Sequence, residues 1–344
     1  MNKTVAKFIE LVRINSPSGN EQGMINYVKN WLDKIGLNYK VDSKGNILAK
    51  KPGIGPPILF CTHMDTVEPG RGIKPILINN KIIKSSGKTI LGADNKAAVA
   101  SLMVAVEETM SLKSFELLFT VDEENGSGLN NFSFESIKSK LGFTFDSIKP
   151  IGSIILRSPY ICIFEAEYAG LASHSSASEK GINALIPAII ALNKIKVGQL
   201  DKGETTINIG LISGGTGINI VPDKVMIKGE IRSYQKKLFN LHLNKIKSIF
   251  KESNFSTSGF APGYCHKKTS LLIKKVNKIY DSLNIKPECY MYSAVSDANI
   301  LNSKGIEVIN LGDGVENAHT VNEQINLNDL IKLNNIIRKI LRDL

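Results

Sequence analysis

Residues 56–67 read PPILFCTHMDTV. The run PPILF is apolar, so a strand here buries Ile58, Leu59 and Phe60 and delivers His63 and Asp65 to its carboxyl end. In an extended chain residues two apart point the same way, so the imidazole and the carboxylate share a face. Such a pair can hold a metal, orient a base, or only hydrogen-bond. Further along, SFELLFTVDEENG (114–126) repeats the pattern: an apolar strand running into an acidic loop. Between the two, NKAAVASLMVAVEETM (95–110) reads as a long apolar helix, buried in the interior. Strand, helix, strand in this order predicts an α/β layer with a mostly parallel sheet. In such sheets ligands sit beyond the carboxyl ends of the strands, where both stretches place their polar residues.

Working outward, Val5, Phe8, Ile9 and Val12 fit one face of a helix that SPSGN (16–20) ends, and GMINYVKNWLDKIG (23–36) is amphipathic up to its glycine. From about residue 160 the character changes. YICIFEAEYAG, TTINIGLISGG and KVMIKGEIRSY read as strands flanking helical patterns near 182–195 and 236–251, which is the order of an inserted α+β unit. TSLLIKKVNKIYDSLN then reads as a helix, IEVINLGDG as a strand returning to the sheet, and NLNDLIKLNNIIRKILRDL as a closing amphipathic helix. The expected division is a first part of the main domain over 1–156, an insertion over 157–265, and the second part of the main domain over 266–344. GGTGIN (214–219) does not fit a dinucleotide fingerprint opening a helix.

Composition excludes several classes. The chain has 344 residues, 42% of them apolar and 22% charged, which is ordinary for a globular protein. No apolar run approaches the about 18 residues of a membrane span, so no membrane partner is expected. Charges within the first apolar region, Glu10 and Arg13, argue against a signal peptide. The net charge of +11 comes from scattered lysines. No basic stripe is interleaved with aromatics, so no nucleic acid is expected as a partner. Four cysteines, Cys61, Cys162, Cys265 and Cys289, show no metal-finger spacing; reduced thiols in a cytoplasmic protein are the simplest account.

The chain has five histidines. His242, on a helical pattern, reads as structural, and His266 as an exposed loop residue. His63, His174 and His319 lie in polar settings. Among the acids, Asp94 in LGADNKAAVA stands at a loop-to-helix junction, where it could cap the helix. Glu123 and Glu124 in TVDEENG could be a solvated turn, and Asp146 in GFTFDS could form a turn on its own. Taken together, two imidazoles and several carboxylates at strand ends make a dinuclear metal site a coherent reading.

THMDTV, GADNKAAVA, TVDEENG, ASHS, INIVPD, GEIRS, SDAN and AHTVNE occur in the order seen in the M20 family of co-catalytic zinc peptidases, and nearly the whole chain resembles its tripeptidase T-like branch. The resemblance implies a zinc-exopeptidase-type α/β domain, its mixed, mostly parallel sheet flanked by helices, with an inserted α+β ferredoxin-like lid domain. It implies two divalent metal ions, Zn2+ or alternatively Co2+ or Mn2+. His63 and Asp146 would hold one, Glu124 and His319 the other, and Asp94 would bridge them. The activity implied is hydrolysis of the N-terminal peptide bond of a short peptide by a metal-bridging hydroxide, with Glu123 as general base and Asp65 fixing the tautomer of His63. From the lid, His174 would stabilise the oxyanion, while Asn219 and Arg232 would grip the substrate. In dimeric relatives the lid histidine comes from the partner subunit, so a homodimer through the lid is expected. The family also implies a cis peptide at Asp94–Asn95.

Departures from the family pattern are Ala294 and Val295, where many relatives have glycines, and Ser147 after Asp146. Asp146 itself matches the aminopeptidases, where carboxypeptidases and deacylases carry glutamate. The alternatives are an M20-type carboxypeptidase, a deacylase of N-acyl amino acids, or a catalytically inactive peptide-binding protein on the same scaffold.

Overall fold

The computed structural model describes residues 2–109 and 112–344. Two compact units emerge: one from residues 1–156, 266–292 and 296–344, the other from 157–265 and 293–295.

The first unit opens with helices α1 (Lys3–Val12) and α2 (Gln22–Lys34). Asn2 caps α1 by accepting from the Thr4 N–H at 2.8 Å. Val5, Phe8 and Val12 are buried, as their spacing predicts. Strands β1 (Asn38–Val41), β2 (Ile47–Lys51) and β3 (Ile54–His63) follow, then the short β4 (Pro75–Ile78) and β5 (Ile82–Ser85). Helix α3 (Ala93–Thr109) comes next, with its first residues bent out of helical geometry at Asp94 and Asn95; Met110, at the end of the expected helix, lies outside the described residues. Then come β6 (Lys113–Thr120), β7 (Leu141–Thr144) and β8 (Ser153–Ser158).

In the second unit, β9 (Tyr160–Ala169), α4 (Leu185–Leu192), the short β10 (Gly198–Leu200), β11 (Thr205–Gly214), β12 (Lys224–Ser233), α5 (Lys236–Ile249) and β13 (Asn254–Ala261) follow in turn. They form an antiparallel sheet ordered β10-β11-β12-β9-β13. Leaving β10 aside, this is the β-α-β-β-α-β order and strand arrangement of a ferredoxin-like unit. Its own core gathers Phe164, Ala166 and Tyr168 from β9, Ile227 and Ile231 from β12, and Phe239, Ile246 and Phe250 from α5 and its end. Where the chain leaves, β14 (Tyr264–Cys265) pairs with Ser158 and Arg157.

The chain then completes the first unit with α6 (Leu271–Ser282), β15 (Glu288–Met291), α7 (Asp297–Ser303), β16 (Glu307–Leu311), β17 (Val315–Glu316), β18 (Gln324–Asn326) and α8 (Leu327–Asp343). The main sheet runs β1-β2-β6-β3-β7-β16-β8. Its centre, β6-β3-β7-β16, is parallel, and the flanking pairs are antiparallel. Helix α3 is buried from Ala93 to Ala105 and packs against β3, α1 and α8, which is why its run over 97–105 is apolar on every face but for Ser101. Gly142 allows β7 to approach β3 closely: a Cβ there would lie 2.8 Å from the Leu59 Cβ and carbonyl oxygen. The sequence pattern did not anticipate the small second sheet of this unit, β17-β18-β5-β4, whose strands are too short to show periodicity. His266 also differs from expectation. Its ring is largely buried, with Nε2 3.0 Å from the Val308 carbonyl oxygen.

Candidate metal centre

The four central strands are parallel, so their carboxyl ends share one edge, and the loops leaving that edge carry the site. His63 ends β3 and is buried. Glu123 and Glu124 follow β6, after a turn opened by Asp122 at φ +54°. Asp146 lies just beyond β7, and Asp94 lies at the bend entering α3. His319 sits at the tip of the β17–β18 hairpin, at φ +64° and half exposed.

These side chains converge into two donor groups, His63–Asp94–Asp146 and Asp94–Glu124–His319. The two oxygens of Asp94 divide between them. Oδ1 is 3.2 Å from His63 Nε2, and Oδ2 is 3.3 Å from His319 Nε2. His319 Nε2 also lies 3.0 Å from Glu124 Oε2, and His63 Nε2 lies 3.8 Å from Asp146 Oδ1. The Asp94–Asn95 peptide is cis, as the resemblance implied.

Asp65 is a hub. Its Oδ1 faces His63 Nδ1 at 3.3 Å, so the other ring nitrogen is the one turned to Asp94. Asp65 also accepts from the backbone N–H groups of Glu123 and Glu124, both at 3.1 Å, and from the Ser18 hydroxyl at 2.7 Å. One buried carboxylate thus aims an imidazole from β3 and fixes the loop after β6. Asn310 on β16 does the same for Asp146, accepting from its N–H at 3.0 Å and donating to its carbonyl at 2.7 Å. Sequence reasoning left Asn310 unassigned, because nothing in EVINLG marks one asparagine as paired. Asp297, within SDAN, likewise carries no sequence signal of its role. Asp297 is buried at the start of α7, where Ser296 and Asn299 form a capping box, and it accepts from the Thr120 hydroxyl at 2.6 Å.

Among protein groups alone the cluster is short of positive charge. Burial opposes a charge on His63, yet its hydrogen bonds to the carboxylates of Asp146, Asp65 and Asp94 hold the imidazole well above its usual range. Hydrogen bonds with Asp94 and Glu124 raise His319 to about 10. Burial, with repulsion from Asp146, pushes the Glu123 carboxyl well up, and burial takes Asp297 to about 6. Glu124 Oε1 is buried without a hydrogen-bond partner. Imidazole and carboxylate donors, a deficit of cations and an unpartnered buried oxygen fit two divalent ions.

The other expected residues lie in the second unit. The exposed ring of His174 bonds to Ser176 through Nδ1, at 2.7 Å from Oγ and 3.2 Å from the N–H. Asn219 is exposed and accepts the Ser175 N–H at 2.9 Å, so it is a close neighbour of His174. Arg232 is engaged already. Glu230 takes its Nε and Nη2 at 2.8 and 2.9 Å, and the Ser293 carbonyl takes Nη1 at 2.8 Å.

A fold of this kind with a two-group donor site at its strand ends defines a metallopeptidase scaffold, and comparison with known proteins agrees. Residues 161–257 match the M20 peptidase dimerisation domain. The chain is 31% identical to the uncharacterized protein YqjE of Bacillus subtilis over 99% of this chain and 98% of that one. It is similar to the crystal structure of aminopeptidase PepT from Bacillus cereus, at 31% identity and a TM-score of 0.91, covering 98% of this chain and 97% of that one. A tripeptidase from Staphylococcus aureus superposes with a TM-score of 0.92 at 27% identity, covering 99% and 97%. The chain belongs to the M20 peptidase family; it is a peptidase of a family that works with divalent metals. Among the described residues no helix is long and apolar enough to cross a membrane.

Proposed function

We propose that the protein is an aminopeptidase that removes the N-terminal residue from short peptides, di- or tripeptides, with two divalent ions, Zn2+ being the best fit to the donor set. The observation that carries this reading is the division of Asp94 between two donor groups with Glu123 beside them. His63, Asp94 and Asp146 would hold one ion, and Asp94, Glu124 and His319 the other. When bound, the ions supply Lewis acidity that polarises the scissile carbonyl and makes water a better nucleophile at neutral pH.

The chain's own groups do the rest. Asp65 holds His63 in one tautomer. The Glu123 carboxylate accepts a proton from the attacking water and passes it to the departing amine nitrogen. As the carbon–nitrogen bond breaks, one water proton leaves on the neutral amine by way of Glu123, the water oxygen joins the carbonyl carbon as a carboxylic acid, and that acid gives the second proton to solvent on release as carboxylate. His174 donates to the carbonyl oxygen as negative charge develops on it. Asn219 and Arg232 bind the peptide, and Arg232 receives its carboxylate by its remaining N–H groups or by displacing Glu230.

The likeness to an aminopeptidase and a tripeptidase, together with Asp146 in place of glutamate, favours free-amino peptides over N-acylated ones. A homodimer through the second unit is supported by its matched dimerisation domain and by its surface: Ile186, Ile189 and Ile190 of α4 are exposed, and among the described residues no strand pairs with the outer edge of β11 beyond Ile207. Four free cysteines fit a cytoplasmic setting. The test is a panel of free-amino and N-acetylated di-, tri- and tetrapeptides incubated with zinc-loaded protein. Release of the N-terminal residue from free-amino peptides is expected. Turnover confined to blocked substrates would replace this reading with a deacylase.

A further inference from the structure

Beyond the expected ligands, one buried carboxylate connects two of the ligand loops. Glu323 Oε2 accepts the backbone N–H groups of Leu91 at 2.8 Å and Gly92 at 2.7 Å, and Oε1 accepts that of Asp94 at 2.9 Å. These three donors need such an acceptor. The segment is irregular, with Gly92 at φ +69° and the chain bent at Asp94 and Asn95, so neither a ladder nor a helix satisfies them. The other end of the link is the β17–β18 hairpin. Glu323 immediately precedes β18, which pairs with β17 on one side and β5 on the other. Four residues earlier the same hairpin carries His319. Its loop is closed by the Glu323 N–H donating to Thr320 O at 3.0 Å and by the Thr320 hydroxyl donating to Asn317 O at 2.8 Å.

We propose that Glu323 is a positioning residue that sets the distance between Asp94 and His319, and so the affinity and geometry of the ion held by Asp94, Glu124 and His319. The inference rests on the two-ion reading above. Its logic is that of Asp65 and Asn310, each of which clamps the backbone of a ligand-bearing segment. Glu323 differs in joining segments that share no strand pairing at the site. An acceptor-only carboxylate with two oxygens can take three N–H groups at once. An amide of the same shape has one oxygen and turns an NH2 toward donors.

Zinc affinity of the full-length protein, measured by competition with a chromogenic chelator, tests the proposal. Glu323→Gln is expected to fold, to weaken binding of one of two zinc ions by about 10–100-fold, and to lower kcat with little change in KM. Glu116→Gln is the control. Glu116 is an equally buried carboxylate on β6 that accepts the Lys138 and Ser139 N–H groups at 2.9 and 2.8 Å, eight residues before Glu124 and on the body of the strand. That variant should lose thermal stability and keep wild-type zinc affinity. If Glu323→Gln does not fold, Glu323→Asp, with its charge on a shorter stem, carries the same measurement. Wild-type zinc affinity in the folded variant, or an equal loss in Glu116→Gln, overturns the positioning role and leaves the two-ion reading standing. A wild-type protein that takes up no zinc overturns both.

Discussion

The two units of this protein hold their candidate residues in opposite ways. In the first, His63, Asp65 and Asp94 are buried, and the backbones that carry the donors are clamped by Asp65, Asn310 and Glu323. In the second, His174 and Asn219 are exposed, and Arg232 is occupied by a neighbouring carboxylate. The difference follows from the chemistry. Ions need donors fixed to within a fraction of an ångström, which demands a rigid, cross-braced frame. A surface that is to bind and release a peptide, the role proposed for the second unit, needs groups that are accessible and have exchangeable partners.

The sharpest way to break the comparison is Glu123→Ala. It should lower kcat by about 10²–10⁴-fold while the protein keeps its circular dichroism spectrum and both zinc ions by elemental analysis. Turnover like wild type would remove Glu123 from the chemistry. A smaller effect is expected at Arg232. Arg232→Ala should raise KM for peptides with a free C-terminal carboxylate by about 10–100-fold, corresponding to one charge-assisted hydrogen-bond contact of about 1.5–3 kcal/mol. C-terminally amidated peptides should be unaffected. Glu230→Gln, which frees the guanidinium, should lower KM instead; equal KM values in all three proteins would make Arg232–Glu230 a surface pair only. The mildest change to the fold itself is Ile189→Asp on the exposed face of α4. It should shift the protein from dimer to monomer in sedimentation velocity with a change in stability within about 0.5 kcal/mol. A dimer that persists would move the interface away from α4.

Much of the first unit was legible because its signals are local. An apolar strand followed at once by polar groups, as in LFCTHMD and ELLFTVDEE, marks a strand end in a parallel sheet wherever it occurs. The helix expected over 95–110 declared its burial through the run over 97–106, which is apolar but for Ser101. His266 was misread because YCHKK is polar in sequence, while its ring turns inward to a carbonyl on β16. Asn310 and Glu323 were missed as clamps for a related reason. Their partners are backbone N–H and C=O groups more than 160 residues away for Asn310 and more than 220 for Glu323, and backbone donors leave no trace in composition or spacing. The β17–β18 hairpin escaped because strands of two and three residues carry no period.

The sequence by itself determined the α/β class, the order of the two kinds of segment, and which imidazoles and carboxylates stand at strand ends, because hydrophobic periodicity and residue chemistry are properties of neighbours along the chain. Only the tertiary structure decided that Asp94 turns one oxygen to each histidine, that His319 reaches the site from a hairpin tip, and that Glu323 ties the two loops together. Those are distances between segments brought near by packing, and a linear pattern does not contain them.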